Sequence, residues 1–207
     1  MTTSESLVSV KQYLNEYGKS DLSEVAFSSG LDQVDNYLKQ DAYYDFINNV
    51  AQTNLFIIEF EIVGYYTVAV GSLDLEPITN DSLSIMSKYL PVLFLHELGV
   101  DKQHQGNGYG TSLLFDVFKK TVRISHELQI GIGGVLIHSN PKDEVIKFYF
   151  KYGFLFVNRQ DEIDFGLTEY SEDIDYNDLG FVVPRQNSVQ MFIPIKKIEE
   201  HLALYEL

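Results

Sequence analysis

Apolar residues at Leu31, Val34, Leu38, Ala42, Phe46 and Val50 recur at three- and four-residue spacing, which predicts a helix over 31–50. The period then changes. Residues 54–59 and 61–69 are short runs, the second rich in Val, Ile, Tyr and Thr, and they read as two strands paired antiparallel. Residues 91–100 are mostly apolar and are expected to form a central strand. Residues 111–128 follow as a helix, with Leu113, Leu114, Val117, Phe118 and Ile124 on one buried face. Residues 134–138 make a short apolar strand. A helix start comes next at Ser139-Asn140-Pro141-Lys142-Asp143: Asn140 can cap, Pro141 suits the first helical position, and Asp143 sits near the positive end of the dipole. That helix should run to Tyr152 and close at Gly153 in a left-handed conformation. Strands at 154–157 and 189–195 and a short helix at 198–205 complete the chain. The order of strand, glycine turn, helix, strand, capped helix and strand defines a mixed α/β sheet, not a TIM barrel or a helix bundle.

Composition narrows the picture. The chain has 207 residues, enough for one well-buried domain over 1–207 and short for two. No repeat or linker interrupts it. The absence of cysteine excludes disulfides, a thiolate nucleophile and thiolate metal sites together. His104, His126 and His201 are scattered without metal-ligand spacing, so no metal is expected. The N-terminal residues lack the basic start and apolar run of a signal peptide, and no run approaches the ~20 apolar residues of a membrane span. A cytoplasmic location is the expectation. The aromatic-rich run from Tyr37 to Phe46 can wall a substrate pocket, although packing in the core is the simpler use.

The formal net charge is −15, which disfavours a broad nucleic-acid footprint because phosphate contacts need clustered Lys and Arg. The charge is uneven. Residues 102–151 carry seven basic side chains against four acids, whereas 158–188 carries eight acids, two arginines and no lysine. A locally cationic patch in an acidic protein suits a polyanionic cofactor, with a positively charged substrate arriving over the acidic part. Acidity as a simple aid to solubility would give the same count. The 158–188 segment reads as an acidic insertion or a long hairpin.

The sharpest signal is Gln105-Gly106-Asn107-Gly108-Tyr109-Gly110, between a strand and a helix. Glycines at alternate positions let the backbone turn tightly and gather several N–H groups into one concavity. The helix behind adds its own N–H groups and dipole, so a pyrophosphate is the natural guest. A tight strand–helix connection with no ligand is the alternative for the hexapeptide alone. Other phosphate motifs fit worse. A Walker loop would need lysine after its last glycine, where Thr111 stands, and the G-x-G-x-G spacing does not match the dinucleotide fingerprint.

Gln105-x-x-Gly108-x-Gly110 resembles the Q/R-x-x-G-x-G/A acetyl-CoA loop of the GNAT acetyltransferases. Leu98-Gly99-Val100-Asp101 before it and Phe148-Tyr149-Phe150-Lys151-Tyr152-Gly153-Phe154 after it are similar to that family's flanking motifs. Residues 31–40, Val63-Gly64-Tyr65-Tyr66 and Gln190-Met191-Phe192-Ile193-Pro194-Ile195 resemble a branch that contains toxin acetyltransferases of toxin–antitoxin modules. The resemblance implies a mostly antiparallel central sheet with flanking helices, and parallel strands that splay at the cofactor site. It also implies acetyl-CoA as cosubstrate. The loop from Gln105 to Thr111 would bind it together with Asn140, and backbone groups of Leu98 and Val100 would hold the pantetheine arm. Tyr149 would donate a proton to the CoA sulfur. A homodimer and an antitoxin partner are consistent with the family.

Acyl transfer to an amine needs a neutral nitrogen, a positioned thioester, a stabilised oxyanion and a protonated leaving thiolate. A phenol with an ordinary pKa of ~10 can protonate a thiolate whose conjugate acid lies near ~8.5. Three residues are candidates for the base: Glu97, His96 and His138. Strand alternation puts His96 and Glu97 on opposite faces, so at most one points at the substrate. A water could take the proton instead, or the amine could arrive neutral. The acidic composition favours N-acetylation of a cationic small molecule or protein amine. The two alternatives are a toxin that acetylates aminoacyl-tRNA and an acyl-CoA-binding module without activity.

Overall fold

The computed structural model describes residues 5–74, 89–157 and 188–205. The predicted acidic segment therefore lies outside the described residues, apart from Ser188. The elements are β1 Glu5–Ser9, α1 Val10–Tyr17, α2 Asp32–Asn36, a π-helical turn Tyr37–Asp41, α3 Ala42–Ile47, β2 Gln52–Ile58, β3 Glu61–Asp74 and β4 Tyr89–Val100. After these come α4 Tyr109–His126, β5 Gly134–Ser139, α5 Asp143–Lys151, β6 Leu155–Phe156, β7 Val189–Pro194 and α6 Ile195–Tyr205. The seven strands lie in the order β1-β2-β3-β4-β5-β7-β6. The pairs β1–β2, β2–β3, β5–β7 and β6–β7 are antiparallel, and the sheet contains one parallel pair. The chain forms two compact units, Met1–Val70 with Leu95–Lys120 and Gly71–Phe94 with Thr121–Leu207.

In the first unit, α1 is defined by its ends. Ser9 and Gln12 form a reciprocal capping box, and Gly18 closes the helix at φ 61° with its N–H on the Leu14 carbonyl. The predicted helix over 31–50 is present as Asp32–Ile47, interrupted by the π turn. The sequence explains the interruption. Val34, Leu38, Ala42 and Phe46 recur strictly every four residues, so in a pure α-helix of 3.6 residues per turn each would lag the last by roughly 40°. One wider turn, with the Ala42 N–H reaching the Tyr37 carbonyl, lets Val34, Leu38 and Ala42 all stay buried. Asn48 and a left-handed Asn49 (φ 55°) then end the helix, leaving Val50 exposed.

Strands β2 and β3 pair antiparallel as predicted, across a two-residue loop of Glu59 and Phe60. Both loop residues take positive φ, 48° and 75°. Such a turn ordinarily uses Asn-Gly, so this hairpin carries no composition signal. The first unit's core gathers Tyr13, Leu22, Phe27, Leu38, Leu55, Ile57 and Tyr65. The Tyr65 hydroxyl donates to the Val34 carbonyl at 2.6 Å, fixing α2 against the sheet.

In the second unit, β5 and β7 pair from Gly134↔Pro194 to Ser139↔Val189, and Leu155 and Phe156 add to the outer side of β7. The Gly133 N–H donates to the Pro91 carbonyl at 2.7 Å, next to the start of β4. Two details differ from the sequence reading. Helix α5 starts at Asp143, with Lys142 in the capping position and no side-chain cap, so Asn140 does not cap it. Residues 140–142 remain extended or bent, and the Ser139 hydroxyl donates to the Asn140 carbonyl at 3.1 Å. The predicted strand at 154–157 shrinks to two residues. Gly153 does close α5 at φ 82°.

Gly99 fixes how closely α2 approaches β4. A Cβ there would meet Val34 Cγ1 at 2.6 Å, Tyr65 Cε1 at 3.1 Å and Phe27 Cζ at 3.2 Å. Gly99→Ala should therefore destabilise by about 1–3 kcal/mol, seen as a lower Tm in far-UV circular dichroism. An unchanged Tm would show that the approach of α2 is not fixed by this contact.

Candidate active site

The glycine loop is built at the end of β4. Asp101 anchors its start: one carboxylate oxygen accepts from the Ser28 N–H at 2.9 Å, the other from the Gln103 N–H at 2.9 Å. The Asp101 N–H donates to the Val63 carbonyl at 2.8 Å. Gly106 and Gly108 take φ of 80° and 84°, a left-handed conformation that side-chain-bearing residues adopt at a cost. No heavy atom lies within 4 Å of an ideal Cβ at either glycine, so backbone conformation, not crowding, selects glycine here. Helix α4 begins at Tyr109, and Gly110 and Thr111 lie in its first turn. Residues Gln105–Gly108 are exposed, and a first helical turn has N–H groups without intrahelical acceptors. An exposed alternating-glycine turn on a helix N-terminus fits a pyrophosphate.

The polar side chains of the loop are used for shape. Gln105 Nε2 donates to the Ser29 carbonyl at 2.9 Å and to the Val100 carbonyl at 3.1 Å. Asn107 Nδ2 donates to the His104 carbonyl at 3.0 Å. Gln105 thus ties the loop to the chain before α2 and to the end of β4, leaving the backbone to face a ligand. Tyr109 packs on Phe56, with ring centroids 5.3 Å apart.

Along β4, burial alternates. Leu95, Glu97 and Gly99 are buried, while His96, Leu98 and Val100 are half-buried on the other face, as period two demands. Glu97 is 8% exposed and accepts from Gln33 Nε2 at 3.1 Å. Burial pushes its carboxyl above the ordinary range, and the Gln33 hydrogen bond offsets part of that rise. His96 stacks on Tyr37 with centroids 4.7 Å apart. Burial lowers its pKa against the opposing pull of Asp45 and Asp41. The Tyr37 hydroxyl donates to Asp45 at 2.7 Å, and burial with that carboxylate raises the phenol.

The second unit places the remaining candidates. Tyr149 lies on α5, 7% exposed, edge-on to Phe148 and Phe154 at 5.2 and 5.3 Å. His138 is exposed on β5, beside Phe94 and 2.9 Å from Gln190. Asn140 lies in the bend before α5.

Gln33, Tyr37 and Asp45 surround Glu97 and His96. Tyr37 and Asp45 lie in the aromatic-rich run 37–46 that the sequence offered as a pocket wall, whereas Gln33 was not singled out. Among the described residues, no group of His, Asp and Glu could hold a metal ion, and no helix is long and apolar enough to cross a membrane.

No protein-family model matches the chain. A tRNA-acetylating toxin of Mycobacterium tuberculosis (strain ATCC 25618 / H37Rv) is 30% identical over 136 residues, 65% of this chain and 80% of that protein. Among solved structures, a bacterial toxin superposes with a TM-score of 0.72 at 20% identity, covering 98% of this chain and 97% of that one. The toxin AtaT complexed with acetyl-methionyl-tRNAfMet superposes with a TM-score of 0.67 at 19% identity, covering 96% and 99%. The fold and the loop at the head of α4 thus define a GNAT-type acyltransferase. The chain belongs to the GNAT acetyltransferases, in the branch that holds the toxins of toxin–antitoxin modules.

The buried Glu97 carboxyl gives a pH test. Its folded pKa is raised, so above the ordinary carboxylate pKa the folded state holds more protons than the unfolded one. Stability from this group is therefore complete at low pH and falls as pH rises toward the folded pKa. Glu97→Gln keeps an oxygen for Gln33 and carries no charge. The Tm of the variant relative to wild type should rise between pH 4 and pH 7; a constant difference would show that Glu97 is not desolvated.

Proposed function

We propose that the protein transfers the acetyl group of acetyl-CoA to the amino group of an aminoacyl-tRNA, as the toxin of a toxin–antitoxin module. The observation that carries this reading is the 30% identity to a tRNA-acetylating toxin over most of that protein's length. The net charge of −15 favours a cationic amine instead. It weighs less, because a bulk count does not describe the surface a substrate meets, and the cationic stretch 102–151 includes the glycine loop.

In this reading the amides of Gly106 to Thr111 hold the pyrophosphate of acetyl-CoA, and Asn140 adds a polar contact. Backbone groups of Leu98 and Val100 align the pantetheine arm. The neutral amine attacks the thioester carbonyl, a C–N bond forms, the C–S bond breaks, and the thiolate takes a proton. Tyr149 supplies that proton from its hydroxyl. Glu97 takes the proton that the amine releases, and a carboxyl raised by burial accepts it better than an exposed one. His96 and His138 are assigned no step in this reading. An antitoxin partner and a location in the cytoplasm go with the toxin reading.

The test is transfer of labelled acetyl from acetyl-CoA to aminoacyl-tRNA, compared with polyamines and lysine peptides. Labelled aminoacyl-tRNA is the expected product. Transfer to the cationic amines alone would sink the proposal. Tyr149→Phe should lower kcat by about 10²- to 10⁴-fold with acetyl-CoA affinity nearly unchanged. Wild-type kcat in that variant would remove Tyr149 from the mechanism.

A further inference from the structure

An open cleft in the first unit plays no part in the acetyl-transfer reading. It has two lobes, of about 210 and 380 Å³, which share Tyr13, Val25, Ala26 and Phe60 as walls. Tyr13 and Tyr17 stack along it with centroids 4.7 Å apart, and Phe60 stands edge-on to Tyr17 at 6.3 Å. Phe60 is 80% exposed and sits at φ 75°, in the left-handed region. Neither its burial nor its backbone preference explains a phenylalanine there.

The charges around these rings are mostly negative. Asp21 and Glu24 border one lobe, Glu61 and Asp101 the other, against the single ammonium of Lys19. Asp21 is engaged with Ser23, and Asp101 with Ser28 and Gln103. Glu24 and Glu61 are exposed, and their carboxylates make no hydrogen bond or ion pair with the described residues. Aromatic faces bordered by uncommitted carboxylates attract a cation through both ring quadrupole and charge. The same carboxylates repel a phosphate-bearing ligand. A planar guanidinium stacks on the rings while its N–H groups pair with carboxylates, which an ammonium does less well. Two adjoining lobes suit successive side chains of one polypeptide segment.

We propose that the Tyr13–Tyr17–Phe60 cleft receives arginine side chains from a basic segment of a partner protein. Asp101, Gln103 and His104 line the cleft and lead directly into Gln105–Gly110. A bound segment would therefore lie beside the cofactor loop without occupying it.

The test is fluorescence anisotropy with a labelled Gly-Arg-Gly-Arg-Gly peptide and its citrulline counterpart, at low and physiological salt. The arginine peptide should bind wild type, and the citrulline peptide should not. Phe60→Ala removes no charge, so its effect separates stacking in the cleft from diffuse attraction to an acidic protein. It should weaken the arginine peptide at least about fivefold. The double variant Glu24→Gln, Glu61→Gln should weaken it further. The acetyl-transfer rate and Tm of Phe60→Ala should stay at wild-type values, because the ring is exposed and Phe60 is not among the proposed reaction groups. Equal peptide affinity in wild type and Phe60→Ala would overturn the proposal. So would a purine result, in which adenosine monophosphate binds, loses affinity in Phe60→Ala, and the arginine peptide is unaffected.

Discussion

The first unit depends on one close approach, that of helix α2 to the end of β4. The Tyr65 hydroxyl holds the Val34 carbonyl, and Gly99 leaves the space that Val34, Tyr65 and Phe27 fill. A buried hydroxyl–carbonyl bond contributes about 1 kcal/mol net, but leaving that carbonyl unsatisfied would cost about 1–3 kcal/mol. The bond therefore selects one position for the helix. That position brings Gln33 to Glu97 and Tyr37 to His96. It also sets Ser28 and Ser29 where Asp101 and Gln105 can tie down the glycine loop. One packing contact thus serves both the candidate base and the candidate phosphate cradle.

Charge acts through position in this protein. The carboxyl of Glu97 is raised by burial, and the Gln33 amide offsets only part of that rise. Asp101 accepts two backbone N–H bonds and shapes a loop. Glu24 and Glu61 stay in solvent beside aromatic rings, where they are available to a cation. All of these acids enter the same count of −15. That is why the count favoured a cationic acceptor while the similarity to a tRNA-acetylating toxin points elsewhere.

What the sequence by itself determined was local and periodic. The strands β2 to β5, the helix α4, the glycine loop and the closing Gly153 were legible because each rests on spacing or on a residue suited to its backbone conformation. The two motifs around Gln105–Gly110 and Tyr149 were enough to indicate the family. Tertiary structure decided the rest. The π turn appears only when four-residue spacing must keep one face against a sheet. Asn140 lost its cap role because the chain after β5 stays non-helical until Asp143, whatever the local signal favours. Gln105 and Asn107 turned out to brace the loop, since their acceptors are backbone carbonyls whose positions no motif encodes. The cleft beside Phe60 was not legible at all, because its walls come from α1, the chain before α2, the β2–β3 turn and the end of β4. Periodicity specifies which face of an element is buried, but only packing specifies what that face meets.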